Sequence, residues 1–410
     1  MIVCPAWSRT ASSKGGYAMK SLTFRYSITQ FTYWAASSGA AAFATTYLLN
    51  KGVSSGLVGL MLAMAGLLSC LTQPLLASLA DRAERFLLTK MLIAFSILCC
   101  ICFSLQLVNG LPLMLTAVLY MVGVWSSDVM VPLLNALSVA CNSAGYSINY
   151  GAARGIGSAA TAISSLVIGF IIAKLGATWM LLFLLIFRVF CIITLMGYPK
   201  IQKIRDEQKE KLVSCSIPQF FSRYRWYCVS LLGIAFLGMF LAMMENYMVA
   251  IMGALGGDSS HVGTALFISA MVTSPVIFFF GKVRGRIKDT DLLKIAAVSF
   301  LIRAVCLYFA KDITTIYLLQ LLHITSYGFM HPTQVYYASA KVRRTDMVKG
   351  QAFSTAAYAL GCSAGNFAGG QLLGFGVDAL LIAGIVMTAI GTLILLATVT
   401  KSDIDGGSTR

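Results

Sequence analysis

Charged side chains and histidines are scarce in this 410-residue sequence. Only 11% of the residues are charged, 15 are acidic and three are histidines. Soluble domains carry about 25% charged residues, so a water-soluble globular protein is excluded. The three histidines are too scattered to form a metal site, and neither HExxH nor a Walker-type glycine loop occurs. The eleven cysteines lie mostly inside apolar runs, as expected for small buried hydrophobic residues. We predict no enzymatic activity, no metal and no cofactor.

Long apolar runs dominate the sequence instead, and 58% of the residues are hydrophobic. A helix of about 20 apolar residues crosses a hydrocarbon core about 30 Å thick. We find twelve such runs and name them spans one to twelve in chain order. They cover residues 25–49, 56–80, 87–108, 111–141, 152–173, 177–198, 226–253, 262–281, 292–310, 314–340, 350–373 and 377–399. The sequence therefore predicts an all-α polytopic membrane protein with twelve transmembrane helices.

The positive charge is distributed on one side of these spans. With a cytoplasmic N-terminus, 24 of the 31 basic residues fall in the tails and loops of that side, and only Lys51, Lys174 and Lys311 fall on the other. Short cytoplasmic loops carry this excess in membrane proteins, so we predict that both termini are cytoplasmic. The segment 1–24 is a tail without the apolar core of a signal peptide, and 400–410 is the second tail. We call the face with the termini the inner face and the opposite face the outer face.

The net charge of +16 therefore reflects the excess of basic residues in the loops on one side of the membrane. Apolar helices separate the basic loops, so no continuous basic surface exists for nucleic acid, and we expect no nucleic-acid partner. We expect an integral membrane protein of the bacterial inner (plasma) membrane, monomeric and surrounded by the lipid bilayer.

A repeat divides the chain into two halves. The basic segment 199–225 separates six spans from six, and Val58-Gly59 corresponds to Val262-Gly263 at an offset of 204 residues. The same offset relates Gly157 to Gly361 and Arg82 to Arg286, whereas Pro132 and Pro332 are 200 residues apart. We predict two pseudo-symmetric six-helix bundles, 25–198 and 226–399, with 199–225 as a cytoplasmic linker. Transporters built from two such repeats place their site between them at mid-membrane.

Ionisable side chains inside the spans are candidate functional groups, because a charge at mid-bilayer costs about 2.5–3.5 kcal/mol. Arg303 and His323 lie about 16 Å and about 14 Å from opposite faces, near the midplane. Asp128 is also near mid-depth, and Glu245 lies in the outer half of span seven. We predict that Asp128, Glu245 and His323 couple transport to protons. The alternative is that the carboxylates are static partners of Arg154, Arg188 or Arg303, and Arg188 has no evident partner in sequence.

Two motifs resemble those of a known transporter group. The sequence Ala77-Ser-Leu-Ala-Asp-Arg-Ala-Glu-Arg85 is similar to Gly-x-Leu-x-Asp-Arg-x-Gly-Arg, the loop signature of the major facilitator superfamily, with two glycines altered. The motif YG-x-x-R-x-x-GS at Tyr150–Ser158, together with Arg303 and His323, resembles the lactose-permease-like branch of oligosaccharide:proton symporters. The resemblance implies the major facilitator fold, alternating access and a solute-binding role for Arg154.

The sequence also departs from that branch. Asn135 stands where the branch has its substrate-binding acid, Thr161 where it has the tryptophan that stacks on the sugar, and Ser326 where it has an acid after the histidine. A galactoside substrate is therefore disfavoured.

We predict a secondary active transporter that moves a small polar organic solute across the membrane by alternating access, driven by proton symport. The predicted substrate-binding residues are Tyr33, Trp34, Asn135, Arg154, Asn246, Arg303 and Gln334. The predicted gating residues, which form charge pairs at the inner face, are Asp81, Arg82, Arg85, Arg284 and Arg286. Two alternatives stay open. The first is a proton-coupled efflux antiporter for an apolar drug or metabolite, whose site would use the many Phe and Met side chains. The second is a non-transporting membrane sensor, which the lack of a soluble output domain disfavours.

Overall fold

The computed structural model describes residues 14–82, 88–199 and 215–401, and these ranges are helical. The first half consists of Lys14–Ala42 and Ala44–Asn50 (span one), Ser55–Arg82, Leu88–Leu105, Leu113–Asp128 and Met130–Ser143 (span four), Tyr150–Leu175 and Ala177–Met196. The second half begins with the short helix Ile217–Arg223. It continues with Arg225–Asn246 and Met248–Ala254 (span seven), Ser259–Phe278 and Phe280–Arg284 (span eight), Asp289–Tyr308, Ile313–Gln320, the 3-10 segment Leu321–His323 and Tyr327–Lys341 (span ten), Met347–Leu373 and Val377–Thr398.

The all-helical membrane fold predicted from the sequence is confirmed. Each predicted span coincides with one helix or with consecutive helices, and the ends agree to within a few residues except at the start of span one. That helix begins at Lys14, inside the segment 1–24 that was predicted as a tail. In the described ranges, eight helices are long and apolar enough to cross a membrane on their own. Spans one, nine and eleven carry more polar residues, and span ten is divided. The assignment of the inner face to the cytoplasm stays a prediction.

The two halves repeat their irregular features as well as their helices. Span one is interrupted at Phe43 and span seven at Tyr247, which is 204 residues later. The turns that follow contain Gly52 (φ 87°) and Gly256 (φ 77°), again 204 residues apart. A positive φ strains any residue with a Cβ atom, so glycine at both turns is explained by the backbone. The equivalent interruptions support duplication of a six-helix unit.

The halves meet where span two crosses span eleven and where span five crosses span eight. The helices approach most closely at glycines near their outer ends. A Cβ atom added to Gly59 would lie 2.8 Å from the Cα of Gly370, and one added to Gly169 would lie 2.9 Å from the Cα of Gly263. Because Gly59 and Gly263 are equivalent in the repeat, the two crossings are related by the pseudo-symmetry. The structure is therefore closed at its outer face.

Span eleven packs against span seven through Gly361 and Gly365, where added Cβ atoms would collide with the backbone of Ala235 and Met239. The segment Gly361-Cys-Ser-Ala-Gly365 has the GxSxG spacing of serine hydrolases. In those enzymes the serine lies on a sharp turn from a strand to a helix. Here the segment lies inside the helix Met347–Leu373, so its glycines serve close helix packing.

Asp346 joins the linker helix to the inner end of span eleven. Its buried carboxylate accepts hydrogen bonds from the backbone N–H of Cys215 and the hydroxyl of Tyr224, both at 2.8 Å, and Arg223 lies 3.6 Å away. Desolvation alone would raise the pKa of Asp346, but the hydrogen bonds and the Arg223 charge together lower it below 3.8. These contacts hold the helix Ile217–Arg223 against the second half.

We expect Asp346→Asn to lower the melting temperature of the purified protein at neutral pH. Each hydrogen bond to a buried charged group contributes about 2 kcal/mol, and the amide accepts these bonds less well. Because the folded-state pKa of Asp346 is lowered, its stabilisation is present above the unfolded value of 3.8 and is lost as the pH falls through the folded value. Thermal unfolding measured from neutral to acid pH should therefore show the difference from wild type shrinking with acid. Asp291→Asn, at an exposed carboxylate, is the control, and an unchanged melting temperature in Asp346→Asn at neutral pH would contradict the assignment.

Candidate functional site

A fully buried arginine organises the first half. Arg188 is 1% exposed. Its Nη2 donates to the hydroxyls of Ser37 at 2.9 Å and Ser127 at 2.6 Å, and its Nη1 lies 3.5 Å from the sulfur of Met130. These direct partners are neutral. The charge that lies within electrostatic reach is Asp128, which is half-buried and makes no direct ion pair with the guanidinium.

The position of Asp128 follows from a break in span four. Pro132 has no N–H to donate, so the carbonyl four residues earlier, that of Asp128, loses its helical hydrogen bond. The side chain of Gln73 in span two donates to this carbonyl at 3.3 Å. The helix ends at Asp128 and resumes at Met130. A proline inside an apolar span is the sequence signal for such a break, and the structure adds the contact that satisfies the freed carbonyl.

Two other predicted site residues of the first half make contacts within that half. Tyr33 is 1% exposed, and its hydroxyl donates to the carbonyl of Ser127 at 2.8 Å. The structure thus places Tyr33 in the interior of the first half and away from the cleft between the halves. Asn135 is half-buried and accepts a hydrogen bond from the hydroxyl of Tyr150 at 3.1 Å.

The second half contains a cluster of buried polar groups that we call the arginine–glutamate cluster: Glu245, Arg303, Gln320 and His323. Arg303 is fully buried, and its Nη2 donates to Oε1 of Gln320 at 3.2 Å. Glu245 is half-buried and within electrostatic reach of Arg303. The Nε2 of His323 lies 4.0 Å from Oε1 of Glu245, too far for a hydrogen bond. The structure therefore brings together three ionisable residues that the sequence predicted separately on spans seven, nine and ten.

Donors outnumber acceptors around this cluster. Nε and Nη1 of Arg303, and Nε2 of His323, are buried without a hydrogen-bond partner in the described part of the chain. Gln334 is buried too, and its Oε1 lies 3.4 Å from the hydroxyl of Ser354. A buried donor without a partner costs about 1–3 kcal/mol. Such a cost is typical of functional sites, where polar groups are positioned for a changing partner.

Asn246 follows Glu245 at the end of the first helix of span seven. Its side-chain amide donates to the side-chain oxygen of Asn366 in span eleven. The adjacent Tyr247 donates to the backbone carbonyl of Asn366 at 2.7 Å. The interruption of span seven at Tyr247 is thus held by span eleven, which fixes Glu245 next to it.

An aromatic ring and a guanidinium form a flat pair on the first half, which we call the Trp34–Arg154 pair. The Cζ of Arg154 lies 4.2 Å from the centre of the Trp34 ring, and its Nη1 donates to Ser158 at 3.2 Å. The ring contacts Gly157, where a Cβ atom would lie 2.6 Å from it. Span one therefore supplies the aromatic ring of this pair, and span five supplies the guanidinium.

The second half contributes the Tyr327–His331 pair on span ten. The two rings are stacked with centroids 5.2 Å apart and an angle of 22° between their planes. Arg154 lies within electrostatic reach of both residues, so this pair on the second half and the Trp34–Arg154 pair on the first half are close to each other. Sequence reasoning selected His323 by its depth in span ten and missed His331. Its place before Pro332 inside an apolar span was the available signal.

The predicted gating residues are described in part. Arg284 forms a double hydrogen bond with Asp289, at 2.8 Å and 3.1 Å, and its Cζ lies 4.0 Å from the ring centre of Tyr336. Arg286 is exposed. The side chains of Asp81 and Arg82, and the whole of Arg85, lie outside the described residues. The gating role of this group stays a prediction.

Two helical bundles related by a repeat, with ionisable residues buried at mid-depth beside a cleft, define a membrane transporter of the major facilitator type. The sequence profile of the MFS_1 like family matches residues 23–399. The chain belongs to this family. Such proteins are transporters and not enzymes, and the finer resemblance to the lactose-permease-like branch stays a prediction.

Solved structures with similar folds are transporters as well. A variant of the nucleoside transporter NupG has a TM-score of 0.80 and 11% identity, covering 93% of this chain and 100% of that chain. A D-xylose-proton symporter has a TM-score of 0.68 and 14% identity, covering 95% and 99%. A bacterial homolog of the human lysosomal transporter Spinster, inward-facing and unoccupied, has a TM-score of 0.66 and 13% identity, covering 97% and 100%. No curated protein matches the chain in sequence.

Proposed function

We propose that the protein is a secondary active transporter that moves a small polar organic solute together with protons by alternating access. The arginine–glutamate cluster carries this proposal. It places a half-buried carboxylate, Glu245, beside a fully buried guanidinium, Arg303, at the edge of the cleft. Glu245 and Arg303 both lie on helices of the second half, and each half moves as a unit in alternating access.

Proton binding at Glu245 changes the electrostatics of the cluster. While Glu245 is ionised, it balances the charge of Arg303. When Glu245 takes up a proton, Arg303 loses its counter-charge in a region of low dielectric constant, where an unbalanced charge is costly. A solute that offers acceptors to these donors then binds more favourably, and by linkage the bound solute favours the proton. This reciprocity is what a symporter requires.

Asp128 has a different role in this proposal. Arg188 is held in place by Ser37, Ser127 and Met130, and Asp128 lies at a helix break beside it. We assign Asp128 as the fixed counter-charge of Arg188, and Glu245, with His323 beside it, as the proton-binding group.

Alternating access is supported by the contacts between the halves. The two glycine crossings close the outer face and are equivalent in the repeat. A rocking motion of one half against the other would separate both crossings together and close the inner ends instead. Two proteins with similar structures are a nucleoside transporter and a D-xylose-proton symporter, which agrees with a small polar solute and with proton coupling.

Glu245→Gln is expected to reduce solute-driven proton movement to background in proteoliposomes, because glutamine cannot release a proton. The measurement is external alkalinisation, followed with a pH-sensitive dye, when uridine, D-xylose or nicotinate is added outside. Exchange of preloaded solute should survive, because exchange does not require the carboxyl to be deprotonated. Asp291→Asn, at an exposed carboxylate near the inner face, is the matched control.

Three results would contradict this proposal, each in a different part. Undiminished alkalinisation in Glu245→Gln would show that the proton binds elsewhere. External acidification by the wild-type protein would show antiport, as in the efflux alternative. Absence of counterflow for every solute, with a correctly folded protein, would contradict transport itself and favour a sensor.

A further inference from the structure

The arginine and carboxylate charges inside the membrane spans do not balance, and one of the arginines, Arg154, lies near the inner end of span five. Three arginines, Arg154, Arg188 and Arg303, face two carboxylates, Asp128 and Glu245. Asp128 lies within electrostatic reach of Arg188, and Glu245 within reach of Arg303. Arg154 makes no ion pair with any carboxylate in the described part of the chain, although it is half-buried. One positive charge at the cleft is therefore uncompensated.

The remaining donors of Arg154 match a carboxylate. Only Nη1 makes a side-chain hydrogen bond among the described residues, to Ser158 at 3.2 Å. The stacking on Trp34 fixes the plane of the guanidinium, with Cζ 4.2 Å from the ring centre. A guanidinium held in one plane presents its N–H groups as a fork that pairs with the two oxygens of a carboxylate. A lysine ammonium, or an arginine that is free to rotate, would discriminate less between a carboxylate and other hydrogen-bond acceptors.

Flat surfaces border the same cleft on both sides. The Trp34–Arg154 pair belongs to the first half, and the Tyr327–His331 pair, with its nearly parallel rings, belongs to the second. Arg154 is within electrostatic reach of Tyr327 and His331, so the pairs are close to each other. Stacked aromatic and guanidinium planes favour a flat solute over a puckered ring, because a flat solute keeps its full face in contact.

We infer that the transported solute is a planar organic anion, an aromatic or heteroaromatic carboxylate, bound between the Trp34–Arg154 pair and the Tyr327–His331 pair. This inference rests on the proposed transport function and names its substrate class. The carboxylate pairs with Arg154, and the ring lies against the flat pairs. With one anion and one proton bound, the cleft has the same net charge as when it is empty. Joint movement of the two is therefore electroneutral.

The test compares solutes that differ in one property. Nicotinate and nicotinamide differ in charge, and benzoate and cyclohexanecarboxylate differ in planarity. We expect nicotinate to stabilise the purified protein at a concentration about tenfold or more below that needed for nicotinamide. We expect the same difference in concentration between benzoate and cyclohexanecarboxylate, with benzoate effective at the lower concentration. Thermal unfolding in detergent gives these concentrations. Counterflow of labelled nicotinate in proteoliposomes shows whether the bound solute is transported.

Two variants locate the site. Arg154→Gln should weaken nicotinate binding about tenfold or more while leaving weak nicotinamide binding unchanged, so that the preference for the anion disappears. Trp34→Leu should reduce the preference for benzoate over cyclohexanecarboxylate. Arg344→Gln, at an exposed arginine to which no role is assigned, is the matched control and should bind nicotinate as the wild type does. Size-exclusion profiles and melting temperatures without solute show that each variant is folded.

The outcomes separate this inference from the proposed function. Counterflow of uridine or D-xylose without binding of either aromatic carboxylate would overturn the inference and leave the transport function standing. Equal binding of nicotinate and nicotinamide, or wild-type nicotinate binding by folded Arg154→Gln, would also overturn it. Tight nicotinate binding that depends on Arg154, without counterflow, would support the binding site and contradict transport.

Discussion

A protein carrying both Gly59→Val and Gly263→Val is expected to fold and yet to transport about tenfold or more slowly than the wild type. A Cβ atom at Gly59 would lie 2.6 Å from the carbonyl oxygen of Asn366, and one at Gly263 would lie 2.5 Å from that of Ser165. These obstacles are backbone atoms, which cannot move aside as a flexible side chain does. The helices must separate at both crossings, so the outer face can no longer close.

The conformational change in this variant is measurable through a cysteine beside the cleft. Cys362 is half-buried on span eleven and lies within electrostatic reach of Glu245 and Tyr358. A membrane-impermeant maleimide added from the predicted outer side should modify Cys362 faster in the double variant than in the wild type. Peptide mass spectrometry separates this site from the other cysteines.

The control is the same glycine-to-valine substitution at a position where the added side chain meets no neighbouring atom. A Cβ atom at Gly253, near the outer end of span seven, would meet no heavy atom within 4 Å. Gly253→Val should therefore transport at a rate close to that of the wild type. Wild-type transport by the Gly59→Val, Gly263→Val protein would show that close contact at the crossings is not part of the cycle.

The spans and the repeat were predictable from the sequence because each follows from one physical requirement. The thickness of the hydrocarbon core sets the length of an apolar run, and duplication repeats the pattern at an offset near 204 residues. The break at Asp128 was predictable too, because Pro132 removes a helical hydrogen bond. The breaks at Phe43 and Tyr247 were not, because neither residue is a helix breaker and tertiary packing determines both.

The candidate site was predictable in its members and not in their contacts. Depth in an apolar span identified Arg303, His323 and Glu245, since charges there are costly. Their grouping depends on how spans seven, nine and ten pack, which sequence does not specify. Tyr33 and Trp34 show the same limit, because neighbours on a helix differ in direction by about 100°. The sequence indicated an aromatic wall, and the structure shows that Trp34 is half-buried and stacks on Arg154, whereas Tyr33 is buried.

The pairing of Asp128 with Arg188 predicts a strong energetic coupling between two substitutions. Arg188→Leu leaves Asp128 without its counter-charge, and Asp128→Asn leaves the fully buried guanidinium with neutral partners only. A charge in a region of low dielectric constant is costly without its counter-charge, so each single substitution should lower the melting temperature. Removing both replaces two charges with neutral groups, so the double variant should lose much less stability than the sum of the single losses.

Melting temperatures of the wild type, the two single variants and the double variant measure this coupling. Additive losses would show that Asp128 and Arg188 act independently, and the assignment of Asp128 as a counter-charge would then fail. A second readout separates this structural role from proton coupling. Asp128→Asn, studied below its lowered melting temperature, should still show solute-driven alkalinisation, because in our assignment the proton binds at Glu245. Loss of alkalinisation in folded Asp128→Asn would transfer the proton-binding role to the first half.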